Sequence, residues 1–149
     1  MIKQKEYAKR RQQLMRMAGG ESIIIVCASP ERYRNGDVKY PYRQDSDFLY
    51  LTGFREPDAL LVMLPATGGG ESVLFCRERD PEREIWDGPM TGLTGAVEKF
   101  GMDEAYSTDE IGQRLPGMLQ DRDCIFYDLG RFPLFDQRLI GWLNEFRDK

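Results

Sequence analysis

Residues 40–59 read Tyr40-Pro41-Tyr42-Arg43-Gln44-Asp45-Ser46-Asp47-Phe48-Leu49-Tyr50-Leu51-Thr52-Gly53-Phe54-Arg55-Glu56-Pro57-Asp58-Ala59. Up to Asp45, aromatic and charged side chains alternate at neither the two-residue repeat of a strand nor the 3.6-residue repeat of a helix. The pattern changes at Ser46, which predicts an N-cap with Asp47 well placed in the first helical turn. The helix it opens is short and stops before Gly53, with Phe48, Tyr50 and Leu51 turned inward or toward a neighbour. Glu56-Pro57-Asp58 predicts a turn, and the apolar run from Ala59 a strand. The stretch therefore passes from loop to helix to strand, and its flanks decide the fold class.

Downstream, residues 59–64 and 72–77 are two strand-like runs. The glycine-rich link over 65–71 suits an antiparallel hairpin. Its glycine triplet is not a phosphate cradle, because a strand and not a helix N-terminus follows it. Residues 80–90 are broken by proline and glycine and carry no assigned element. A short helix is predicted over 93–100, stopped by Gly101. Ser107 and Glu110 have capping-box spacing, ahead of a helix with Ile111, Leu115, Met118 and Leu119 on one face. Pro116 marks a kink or an early end within it. A strand over 123–127 follows, and then a helix over 133–146 with Phe135, Leu139, Trp142, Leu143 and Phe146 as its apolar stripe.

Upstream, residues 22–28 form a β-branched run that reads as a buried strand. Residues 3–18 predict an amphipathic helix ended by Gly19-Gly20, with Lys9, Arg10 and Arg11 on its solvated face. The order of elements predicts an α/β fold, a mixed β-sheet flanked by helices, as one domain over residues 1–149.

Composition narrows the chemistry. The 149 residues carry 21 basic and 25 acidic side chains, a net charge of −4, which argues against nucleic acid or an anionic membrane as the main partner. No apolar run is long enough to span a bilayer. No apolar h-region follows the polar N-terminus, so a cytoplasmic location is expected. Histidine is absent, which removes Ser-His-Asp and Cys-His catalysis and histidine-ligated metals. Cys27, Cys76 and Cys124 each lie in a strand-like run and are expected to be buried, reduced thiols. Asp37, Asp45 and Asp47 are the one carboxylate grouping that suggests a hard cation, but Asp45 and Asp47 diverge on a helix.

The stretch over 40–59 resembles the signature of the N-terminal domain of aminopeptidase P, the Xaa-Pro aminopeptidases of the creatinase/prolidase superfamily. The resemblance extends from Arg10-Arg11-Gln12-Gln13-Leu14 through Val73-Leu74-Phe75 and Arg79-Asp80 to Glu84-Ile85-Trp86-Asp87-Gly88, and weakens after Gly101. Prolidases share the domain type and match the string less closely. The resemblance implies a ribonuclease H-like fold and a parent enzyme that releases the N-terminal residue ahead of proline. It places two metal ions, usually manganese, in a C-terminal pita-bread domain whose Asp, Asp, His, Glu and Glu ligands have no counterpart here. No cofactor and no catalytic residue is therefore expected in this chain, which should be inactive alone.

The same resemblance implies that the domain packs on its own C-terminal catalytic domain, joins subunits in dimers or tetramers, and limits peptide access to the cleft. It places Trp86 on the substrate side of that cleft and Asp37 near a neighbouring subunit's site. Tyr40, Tyr42, Arg43, Ser46 and Asp47 are then loop-organising residues, with Arg43 expected to pair with a carboxylate inside the domain. The alternatives are a free-standing binding or adaptor module built on this domain and the N-terminal domain of a prolidase. A missing neighbour domain should also leave an apolar patch at the 40–42 loop, the Trp86 segment or the last helix.

Overall fold

A computed structural model describes residues 2–31, 33–34, 38–39 and 42–147. Helix α1 (Gln4–Ala18) leads into strand β1 (Ser22–Cys27), followed by a small two-stranded ribbon, β2 (Tyr33–Arg34) and β3 (Val38–Lys39). Helix α2 (Ser46–Thr52) precedes the hairpin of β4 (Leu60–Ala66) and β5 (Gly69–Cys76). Helices α3 (Pro81–Asp87) and α4 (Gly92–Glu98), strand β6 (Glu104–Ser107), helix α5 (Ile111–Leu119), strand β7 (Cys124–Tyr127) and helix α6 (Pro133–Arg147) complete the order.

The main sheet runs β6-β5-β4-β1-β7. β4 is antiparallel to both β1 and β5, with Ile24 opposite Met63 and Leu61 opposite Leu74. β7 lies parallel to β1 and β6 parallel to β5, so the sheet is mixed as the sequence predicts. Its central strands are apolar in unbroken runs because both faces are covered. On one face Ile24, Leu61, Met63 and Leu74 meet Met15 of α1, Phe48 and Leu51 of α2, and Ala96 of α4. On the other, Ile23, Ile25, Val62, Val73 and Phe75 meet Ile111, Leu115 and Leu119 of α5 and Leu139 of α6.

Several local expectations are corrected. Strands β4 and β5 reach further into the glycine-rich link than expected, leaving a two-residue turn at Thr67-Gly68. The capping box of Ser107 and Glu110 is present, and its first turn is a 3₁₀ turn over Thr108–Glu110. Helix α5 continues through Pro116 to Leu119. Helix α3 and strand β6 were not predicted. Cys27 and Cys76 are buried, but Cys124 is exposed, since it begins the edge strand β7. Burial pushes both buried thiols up to about 12, which leaves them unreactive.

The largest correction is Arg11, expected on the solvated face and in fact 2% exposed. Its guanidinium donates to the carbonyl of Leu51 at 2.9 Å, and to those of Phe100 and Gly101 at 3.4 Å each. These carbonyls lie in the last turn of α2 and just after α4, where the helix dipole favours a cation. One side chain thus joins three helices. Burial lowers its pKa, and Asp103 opposes that shift.

Candidate functional site

The signature stretch is organised by Gln44, which is 8% exposed. Its side-chain oxygen accepts from the backbone N–H of Ser29 and of Asp45, each at 2.9 Å. Its amide nitrogen donates to the carbonyls of Phe54 at 3.2 Å and Glu56 at 2.9 Å. The Tyr42 hydroxyl donates to the Ser29 carbonyl at 2.6 Å and lies 3.0 Å from the same Gln44 oxygen. Burial raises the Tyr42 phenol above its ordinary pKa, with Asp58 adding to the shift. Gln44 therefore pins the end of β1, the start of α2 and the turn before β4 to one point.

Helix α2 is capped by Asp45, not by Ser46: the Asp45 carboxylate accepts from the Phe48 N–H at 3.0 Å, and Ser46 is the first helical residue. Asp47 sits in the first turn as expected. The other Asp45 oxygen lies 2.6 Å from the Arg131 guanidinium but off the hydrogen-bond axis. At the far end Gly53 takes φ 71°, and a Cβ there would come within 2.6 Å of the Tyr7 ring. Glycine is needed twice at that position, for the left-handed cap and for the ring's approach.

Beyond this loop lies α3. Asp80 caps it by accepting from the N–H of Glu82 at 3.1 Å and of Arg83 at 3.5 Å, and Pro81 occupies its first position. Arg79 donates twice to Glu84, at 3.0 and 3.1 Å, and holds that carboxyl below its ordinary pKa. Arg83 bonds Glu31 at 2.9 Å; Glu31 also meets Arg77 at 3.3 Å, and Arg77 in turn pairs with Asp58. Glu56 accepts from the Thr91 N–H at 2.9 Å. The signature stretch and the 79–91 segment are thereby joined through Asp58 and Glu56.

None of the described side chains of α3 is buried in the core. Ile85 is 77% and Trp86 87% exposed, so this helix offers apolar surface outward. Leu134 and Ile140 are exposed on the last helix. A groove of about 610 Å³ lies between α1, α2 and β7, with Met17, Tyr50 and Phe126 among its walls, a location the sequence did not indicate.

Of the residues expected at the site, Trp86 stands where a partner or ligand can reach it. Asp37 and Tyr40 lie outside the described residues. Arg43 is exposed and forms no ion pair among the described residues. The organising roles expected of Arg43 and Ser46 fall to Gln44 and Asp45. Sequence reasoning also missed Glu31. Among the described residues no three His, Cys, Asp or Glu side chains are placed to hold a metal ion. The donors among the described residues do not fit a dinuclear metal centre.

Residues 7–127 match the model of the aminopeptidase P N-terminal domain. The chain belongs to that family. It is 40% identical over 147 residues to the Xaa-Pro aminopeptidase of Escherichia coli, covering 98% of this chain and 33% of that protein. With human Xaa-Pro aminopeptidase 3 the identity is 38% over 139 residues, covering 85% of this chain and 27% of the relative. The solved structure of Pseudomonas aeruginosa aminopeptidase PepP superposes with a TM-score of 0.92 at 50% identity, over 99% of this chain and 34% of that one. This chain thus spans about a third of its relatives' length, at the N-terminal domain of aminopeptidase P. Its mixed sheet with flanking helices is the architecture of those solved domains.

Proposed function

We propose that residues 1–149 act as the non-catalytic N-terminal domain of a metal-dependent Xaa-Pro aminopeptidase. In this reading the domain packs against a catalytic domain that carries two manganese ions. It organises a dimer or tetramer in the cytoplasm and limits which peptides reach the cleft. Asp37 approaches a neighbouring subunit's site.

The observation that carries the proposal is the indole of Trp86, turned out at 87% exposure from a helix whose described side chains are none of them buried. Such a face suits a proline ring or an apolar N-terminal side chain, and its N–H supplies one donor. Hydrolysis needs a water activated by metal or base. In this reading that activation is supplied by the catalytic domain.

The test compares the 149-residue chain with the full-length protein of the same gene on an Xaa-Pro peptide with manganese. The expected result is turnover by the longer protein and none by the chain. In the longer protein Trp86→Ala raises KM roughly fivefold to tenfold and changes kcat little, the pattern of lost ground-state binding. Peptide cleavage by the 149 residues themselves overturns the proposal.

A further inference from the structure

None of the described side chains of α3, at 81–86, is buried, so they do not set its direction by core packing. Its capping bonds from Asp80, the Arg79–Glu84 pair and the Met90 N–H on Glu84 at 3.3 Å all lie within residues 79–90. They shape the segment without fixing it to the rest of the fold. The bond from Arg83 to Glu31 does fix it, because Glu31 follows β1 and its carboxylate also meets Arg77 just beyond β5.

We propose that Glu31 is the positioning residue for Trp86, bridging Arg77 and Arg83 so that α3 holds the indole in one orientation. This rests on the reading of Trp86 as a substrate contact.

Three features carry it. Both arginines lie within 3.3 Å of the same Glu31 oxygen, so without that carboxylate two guanidinium groups would face each other. Glu31 is 16% exposed at its side chain, against 35% for Arg83, which shields the bridge from solvent better than a surface pair. Arg83 and Trp86 are three residues apart on one helix, and side chains at that spacing are neighbours on its surface. A pull on Arg83 therefore sets the rotation of α3 that aims Trp86.

The experiment uses the full-length protein and two readouts, hydrogen exchange over 81–88 and kinetics on an Xaa-Pro peptide. Glu31→Gln keeps the shape and removes the charge. Exchange over 81–88 should rise about tenfold while β4 stays protected, and KM should rise about threefold with kcat held. Arg83→Gln cuts the same bond from the exposed side and should reproduce both effects, which guards against a folding defect in the first variant. Glu31→Asp should restore part of the protection. In a Trp86→Ala background, Glu31→Gln should add nothing to KM, as non-additivity requires of a residue acting through another. Unchanged exchange over 81–88 in both single variants overturns the assignment whatever the kinetics show, as does a KM effect that persists without Trp86. Faster exchange with no effect of Trp86→Ala on KM keeps Glu31 as the anchor of α3 and overturns the substrate role of Trp86.

Discussion

The loop over 42–58 and helix α3 are joined through Glu56 and Asp58, yet they are held by opposite means. The loop and α2 are fixed by Gln44, Asp45 and Arg11, all under 9% exposed, and by Phe48 and Phe54 in the core. The helix is shaped by Arg79–Glu84 and tethered by Arg83–Glu31, with Arg79 66% exposed at its side chain. Buried polar groups are costly to leave unpaired, so the first region has one arrangement. Ion pairs within reach of solvent are individually weak, so the second keeps its one arrangement only while the Arg83–Glu31 bond holds. A frame fixed by buried polar groups, carrying an apolar helix held by ion pairs, is what the contrast amounts to.

The strongest way to break it is at Arg11. Arg11→Met keeps the aliphatic stem and leaves the carbonyls of Leu51, Phe100 and Gly101 without their donor. Destabilisation of about 3 kcal/mol is expected, from one buried and two partly buried acceptors left unpaired and from the loss of the clamp between three helices. Urea denaturation of the 149-residue chain measures it. A loss under about 1 kcal/mol would show that the three helices hold together without this clamp.

Next is Gln44→Leu, close in volume and without hydrogen-bonding atoms. It strands the N–H groups of Ser29 and Asp45 and the carbonyls of Phe54 and Glu56, for an expected loss of about 2 kcal/mol. The same urea curves report it. A variant that unfolds together with the parent would remove Gln44 as the organiser of the loop.

These two residues also show where sequence reading reached and where it stopped. Apolar runs disclosed β1, β4 and β5, because doubly covered strands leave no polar face to confuse the pattern, and the short apolar run of β7 showed although its Cys124 and Phe126 are exposed. The Ser107–Glu110 capping box disclosed the start of α5. Arg11 was assigned to solvent by its charge, yet it lies four residues after Tyr7 and three before Leu14, on the apolar stripe of α1; spacing was the better guide. Helix α3 escaped because its described side chains are none of them buried and so show no apolar period, although Asp80-Pro81 is a fair start signal. Strand β6 is four residues long at a sheet edge, too short for alternation to show. Gln44 gave no local signal, since its five partners come from residues 29, 42, 45, 54 and 56, which only the fold brings together. The family string drew attention to Trp86, which the structure shows exposed, and drew none to Glu31 and its arginines.

The smallest effect expected is acid loosening of α3 with the frame intact. Arg79 donates twice to Glu84 and holds its carboxyl below the ordinary Glu pKa. A depressed folded-state pKa means that this contribution is complete above the unfolded-state value and is lost as pH falls through the folded one. The Met90 N–H, whose acceptor is Glu84, should therefore keep its amide chemical shift from neutrality down through the ordinary Glu range and move only below it. The Ser29 amide should stay put over the same interval, because its acceptor on Gln44 has no proton to gain. Glu84→Gln should abolish the Met90 inflection and move the urea midpoint little, since the partner guanidinium of Arg79 is two-thirds exposed and such a pair contributes little. A Met90 inflection at or above the ordinary Glu value would mean that Arg79 does not hold Glu84 in solution. Movement of both amides together would mean that frame and helix respond as one body, and that the difference in their tethers has no mechanical consequence.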